Sequence, residues 1–273
     1  MTSPITPVVA SFGAAEGRCN ICGDFGPLTE DHTPPKGVLL DDNRKMSLRH
    51  IVDRVSDTGR TGQARHFQNG VKYRTLCAKC NNDLGSFSDP ALIAFADAMN
   101  VAAASGVPVA SVRCDVQAVM RSVVGHMCAI GVDRFDKGDA TEPVKRYMQD
   151  RLVQLPDTLR LFWWAFPFAE QVHMKDAGMF RLRKGAAELT TYWLLKFYPL
   201  AFLLTFNAPG KTPFDQAPEM SLYRSVKRET IVDLEVTLNP VLPPQWAEVP
   251  MGDWFVISGA DSLSASPPPK RPA

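Results

Sequence analysis

Long apolar runs are missing from this chain. No segment reaches about 18 uninterrupted apolar residues, the length a membrane-spanning helix requires. Nor does the start, MTSPITPVVASFGAAEG, carry the basic lead and apolar block of a secretory signal. A soluble cytoplasmic protein with no membrane partner is the expectation. Net charge is scarce as well: 30 Lys and Arg stand against 29 Asp and Glu, a formal +1 over 273 residues. That excludes capture of nucleic acid through the overall field, though not through a local patch. Cysteine is sparse. Six in a chain of this size would make a thin disulfide framework, and four of them fall into Cys-x-x-Cys pairs, a spacing used mostly for metal or redox work. Cys114 and Cys128 lie in apolar helical surroundings and read as packed thiols.

The apolar content of 45% is enough for a core. Residues 1–17 mix proline, glycine and small side chains without periodicity and read as a loose lead-in. Residues 18–89 hold both cysteine pairs but few aliphatic side chains, so a metal is expected to supply the missing stabilisation. Within them, 37–70 has the polar, glycine-containing character of an inserted loop. Between Lys36 and Lys79 the chain carries ten lysines and arginines against four aspartates, a local basic excess. Such runs usually face water; this one falls between the two cysteine pairs.

Residues 90–262 read as an α+β domain with helices packed on an antiparallel sheet. A helix is expected near 90–104 after the Asp-Pro start signal. A second, largely buried helix follows from Val116, Val119, Met120, Val123, Val124 and Met127 at helical spacing, and a third covers roughly 141–153. The stretches TLRLFWWAFPF, GMFRLRK, TTYWLLKFYPLAFLLTF and TIVDLEVTLN are rich in aromatic and β-branched residues and read as strands. Trp163, Trp164 and Trp193 are expected in the core rather than as a base-stacking platform. His126, on an apolar helix, reads as a satisfied core histidine, and His50, His66 and His173 as surface or packed residues. Residues 263–273, rich in proline toward the end, are expected to be disordered. There is no internal repeat.

Cys19, Cys22, Cys77 and Cys80 supply four thiolates in two knuckles, the ligand set of a closed structural Zn²⁺ site. A redox disulfide would call for a thioredoxin-like setting that is absent here. Between the knuckles lies TEDHTPPK, with Asp31 beside His32, and Asn81 directly follows the fourth cysteine.

This frame, CNIC, then Asp31-His32, then LCAKCN, resembles the HNH endonuclease family in its zinc-stapled ββα-metal form, similar to phage junction resolvases. The resemblance covers residues 18–89. It implies two strands, GPLTEDH and GVKYRTL, and a helix beginning in CAKCNNDLGSF. It implies that His32 is the general base and that Asp31 and Asn81 hold a divalent cation, Mg²⁺ or another. Where the family commonly has an Asn about five residues before the second pair, this chain has Lys72; Asn69 is the candidate to orient the base.

The residue types suit that chemistry. An imidazole is largely neutral at pH 7 and can accept a proton from water, and carboxylate and carboxamide oxygens suit a hard cation. Lys36, Arg74 and Lys79 are candidates for nucleic-acid contacts by position alone. The expected function is hydrolysis of phosphodiester bonds in DNA. Phage defence or a mobile element is the setting by analogy, and the second domain selects substrate, senses a trigger or forms a homo-oligomer. The alternatives are a non-catalytic zinc-finger adaptor for nucleic acid or protein, and a nuclease acting on RNA.

Overall fold

The computed structural model describes residues 13–39, 45–51, 65–68, 71–135, 141–183, 186–206, 212, 214–238, 242–249 and 252–266. Its architecture is mixed α and β. Strands β1 (Glu16–Arg18), β2 (Phe25–His32) and β5 (Lys72–Cys77) form a three-stranded antiparallel sheet in the order β1-β2-β5. Helix α1 (Ala78–Phe87) leaves directly from β5. This strand-strand-helix order is the one expected over GPLTEDH, GVKYRTL and CAKCNNDLGSF.

Helices α2 (Asp89–Ala104) and α3 (Val116–Ala129) follow, with strand β6 (Val109–Asp115) between them. Helix α2 starts with Asp89 and Pro90 in its first turn, where a fixed φ and a negative charge both suit a helix N-terminus. The side chain of Asp115 caps α3 by accepting from the Ala118 backbone N–H at 3.1 Å. Helix α3 is buried over most of its circumference, which makes it the centre of the helical layer. The last α-helix among the described residues, α4 (Glu142–Gln149), is shorter than expected and ends before Asp150.

The largest sheet has eight strands, all pairings antiparallel. It consists of β3 (Lys45–His50), β4 (Arg65–Gln68), β7 (Leu159–Ala165), β8 (Gln171–Arg183), β9 (Ala186–Phe197), β10 (Leu200–Phe206), β12 (Phe255–Ile257) and β13 (Leu263–Ser266). Strand β11 (Ile231–Thr237) pairs with β6 as a separate ribbon. Every residue of β10 is buried. Leu200, Phe202, Leu204 and Phe206 face the helices, while Ala201 and Leu203 face a second core holding Phe214 and Trp246. The sheet is thus covered on both sides, and each fully buried large side chain contributes about 1.5–3 kcal/mol. Trp163 and Trp193 pack in the first core and Trp164 in the second, so none is a base-stacking platform. Cys114 and Cys128 are buried free thiols, as expected, but Cys114 lies on strand β6 rather than in helical surroundings.

Four sequence expectations need correction. Residues 37–70 are not simply a loop: the chain gives β3 and β4, which pair with each other and, through β3, with β13 in the large sheet. Strand β13 lies between β3 and β8, so residues 263–266 are ordered backbone rather than the start of a disordered tail. Residues 16 and 17 of the lead-in, together with Arg18, pair with β2. The division at residue 89 is not a division of the core, because Cys19, Ile21, Leu76 and Leu84 share one buried cluster with Leu92, Phe95, Val124 and Trp163. The approach is close where α1 meets α3: a Cβ at Gly125 would lie 2.3 Å from Leu84 Cδ2. Asn69, the candidate base-orienting residue, lies outside the described residues.

Candidate active site and metal centre

The two cysteine knuckles meet because β2 and β5 pair. Leu28 is opposite Cys77, which brings the start of α1 to the turn that follows β1. The Cys19 carbonyl accepts from the Gly23 backbone N–H at 2.9 Å, and Gly23 takes φ +81°, a conformation that favours glycine. Neighbouring elements hold this turn. Buried Asn20 donates from Nδ2 to the carbonyls of Cys128 (3.0 Å) and Gly131 (2.8 Å), and its Oδ1 accepts from the Arg134 backbone N–H. Gln149 at the end of α4 donates to the Ile21 carbonyl at 3.0 Å. The first knuckle is therefore pinned to the end of α3 and to α4.

The Sγ atoms of Cys19, Cys22, Cys77 and Cys80 all lie within 4.8 Å of one another, with Cys22 and Cys77 at 3.7 Å. A tetrahedron with metal–sulfur bonds of about 2.3 Å has edges of about 3.8 Å, so the four could hold an ion such as zinc. The thiols also compete for charge. A hydrogen bond from Cys80 brings the Cys19 thiol down to about 4 against the effect of burial. Burial drives Cys22 up to about 12, and Cys80 is raised by its bond to Cys19. Four thiolates this close need a cation to coexist.

Strand β2 ends in Glu30, Asp31 and His32, of which Glu30 is exposed, Asp31 buried and His32 half-buried. Glu30 pairs with Arg74 at 2.9 Å and with Lys72 at 3.6 Å. Lys72, opposite His32 on β5, is thus a cation next to the candidate base. His32 is half-buried, and its Nε2 has no hydrogen-bond partner among the described residues. Burial pushes its pKa down, the Lys72 and Lys36 ammonium groups push the same way, and Asp31 opposes them. A neutral imidazole with a free nitrogen can accept a proton.

Asn81, in the first turns of α1, reaches across to β2. Its Nδ2 donates to Thr29 Oγ1 at 3.0 Å and to the Glu30 carbonyl at 3.3 Å. Asn81 thus lies against β2 at Thr29 and Glu30, the two residues before Asp31. With its nitrogen committed to the strand, Asn81 has its carbonyl oxygen to offer. The donor types fit a hard divalent cation.

Asp31 has a further partner that the sequence reading missed. Its buried Oδ2 lies 3.2 Å from Nδ1 of His126 on α3. The contact is an ion pair out of line with the ring N–H, since neither atom makes a hydrogen bond of good geometry. The other ring nitrogen, Nε2, is 3.0 Å from Asp89 Oδ1, which also accepts from Ser122 Oγ at 2.7 Å. His126 is fully buried. Burial alone would lower its pKa, yet Asp31 and Asp89 outweigh it and raise it to about 10. The available signal was a polar pair, Ser122 and His126 at i, i+4, on a helix whose other polar residues are Gln117 and Arg121. In the sequence Asp89 signals a helix start and nothing ties it to His126.

The candidate phosphate contacts divide. Lys36 is exposed on the 3₁₀ turn after β2, close enough to shift His32. Arg74 is engaged by Glu30. Lys79 is exposed and paired with Asp83 one turn along α1 at 3.2 Å. No model of a known protein family matches this chain, and no curated protein or solved structure does either.

Proposed function

We propose that the chain is a metal-dependent HNH-type endonuclease hydrolysing phosphodiester bonds in DNA, with His32 as general base. The observation that carries this reading is the Nε2 of half-buried His32 at the end of β2, itself shielded from solvent and without a partner among the described residues, on the same short sheet that sets Asn81 against Thr29 and Glu30. Cys19, Cys22, Cys77 and Cys80 hold a structural zinc ion, whose closed ligand set keeps it out of the chemistry. Asp31 and Asn81 hold the catalytic divalent cation. Once bound, that cation supplies positive charge for the scissile phosphate and the leaving 3′ oxygen. His32 takes the proton from the attacking water. Lys36 and Lys72 lower its affinity for protons beforehand and add positive charge at the phosphate. The product carries a 5′-phosphate.

The inward turn of Asp31 onto His126 favours a second reading, a zinc-stabilised adaptor without activity. One assay separates them. Labelled duplex DNA, single-stranded DNA and RNA are each incubated with the protein in Mg²⁺ and in EDTA, and product ends are mapped. Mg²⁺-dependent DNA cleavage leaving 5′-phosphates is expected. Cleavage of RNA alone would change the substrate, and binding without cleavage of any substrate would favour the adaptor.

A further inference from the structure

We propose that His126 is a positioning residue for the nuclease centre, clamping Asp31 from behind so that its carboxylate is held ready for the divalent cation. This rests on the reading of Asp31 as a cation ligand. A carboxylate ligand works only when something fixes its orientation, and partners one step behind the metal usually do so. Asp31 stands at the penultimate position of β2, where the strand gives it no neighbour beyond His32. The fixing group comes from α3. His126 sits on the most buried helix, touches Asp31 Oδ2 through Nδ1 at 3.2 Å, and is itself held through Nε2 by Asp89 at 3.0 Å. Ser122 donates to that same Asp89 oxygen. The chain Ser122, Asp89, His126, Asp31 therefore runs from the helical layer to the strand end.

The arrangement also suits the charges. Two carboxylates this buried need a cation between them, and the imidazole is placed to serve both. With Oδ2 turned to His126, Asp31 keeps Oδ1 as the oxygen to offer. The ββα segment is thus incomplete as a metal site without residues 89–126, although these lie outside the HNH-like frame.

The test measures Mn²⁺ binding directly, by the loss of the free-ion electron paramagnetic resonance signal. It uses the full zinc-loaded chain in a His32→Ala background. Asp31→Asn is expected to weaken binding most, to a level that remains measurable. His126→Gln is expected to weaken it tenfold or more, and Asp89→Asn to weaken it by a smaller factor. Zinc content should stay constant throughout. Combined with Asp31→Asn, His126→Gln should cause no further loss, an absence of additivity that a merely structural role would not produce.

Should His126→Gln fail to fold, Asp89→Asn and Ser122→Ala break the far side of the clamp and carry the test. Parent-like Mn²⁺ affinity in the clamp variants, alongside loss in Asp31→Asn, would overturn the clamp alone. Parent-like affinity in Asp31→Asn would overturn the ligand role of Asp31 and the clamp with it.

Discussion

The carboxylate of Asp31 at the end of β2 and the imidazole of His126 on α3 lie 3.2 Å apart, both buried. Asp31 therefore belongs to the core as much as to the strand end. Removing one member of a buried charge cluster strands the others, at a cost of about 3–5 kcal/mol. Asp89→Ala should lower stability by that amount in urea denaturation. A loss under about 1 kcal/mol would mean that water reaches the cluster.

Chelation should unfold the chain as a unit. The cysteine knuckles share their buried cluster with Leu92, Phe95, Val124 and Trp163, and apparent binding energies of about 10–16 kcal/mol are known for structural zinc in small fingers. Cys77→Ser should abolish zinc binding and lower the melting temperature in a single cooperative transition. Two separate transitions would restore the division at residue 89 expected from composition.

Stability should respond to pH through His173. It is fully buried, with the Tyr73 hydroxyl 3.0 Å from its Nδ1. Burial, with the charge of His126, pushes its pKa down to about 3. In the unfolded chain the ring binds a proton near pH 6.5, which the folded chain resists. The contribution is therefore intact above about 6.5 and lost as pH falls toward 3, at a limit of about 1.4 kcal/mol per unit. His173→Gln should be less stable than the parent at pH 7.5, with the gap narrowing toward pH 4. A gap that stays constant would contradict the shift.

The basic residues should not contribute equally to binding. Lys36 lies close enough to His32 to lower its pKa, whereas Lys79 is paired with Asp83 along α1. Lys36→Gln should weaken DNA binding and reduce the slope of log affinity against log salt by about 1. Lys79→Gln should leave the slope unchanged. Equal slopes for both variants would remove Lys36 from the phosphate path.

What was legible in the sequence was local. Two Cys-x-x-Cys pairs, an Asp-His pair and the following Asn81 mark a site by spacing, and β2, β5 and α1 fall where that spacing implies. The apolar period of α3 and the aromatic strands β7 to β10 were equally open to reading. Long-range pairing was not. Strand β13, with the sequence LSAS, alternates apolar and polar over only four small residues, too short a run to announce it; its burial comes from lying between β3 and β8. Strands β3 and β4 offer only Met46 and Leu48 at strand spacing and a single Phe67, within a largely polar stretch. His126 was recognisable as a core histidine, but its partners Asp31 and Asp89 are distant in sequence, and only the packing of α3 against β5 and α2 joins them.

The central claim is that His32 is the base of a metal-dependent nuclease, and cleavage kinetics of supercoiled plasmid in Mg²⁺ test it most directly. The parent protein should nick the plasmid and EDTA should stop it. His32→Ala should cut about 10²- to 10⁴-fold more slowly while keeping its zinc and its melting temperature. Cleavage by His32→Ala at the parent's rate would contradict the account.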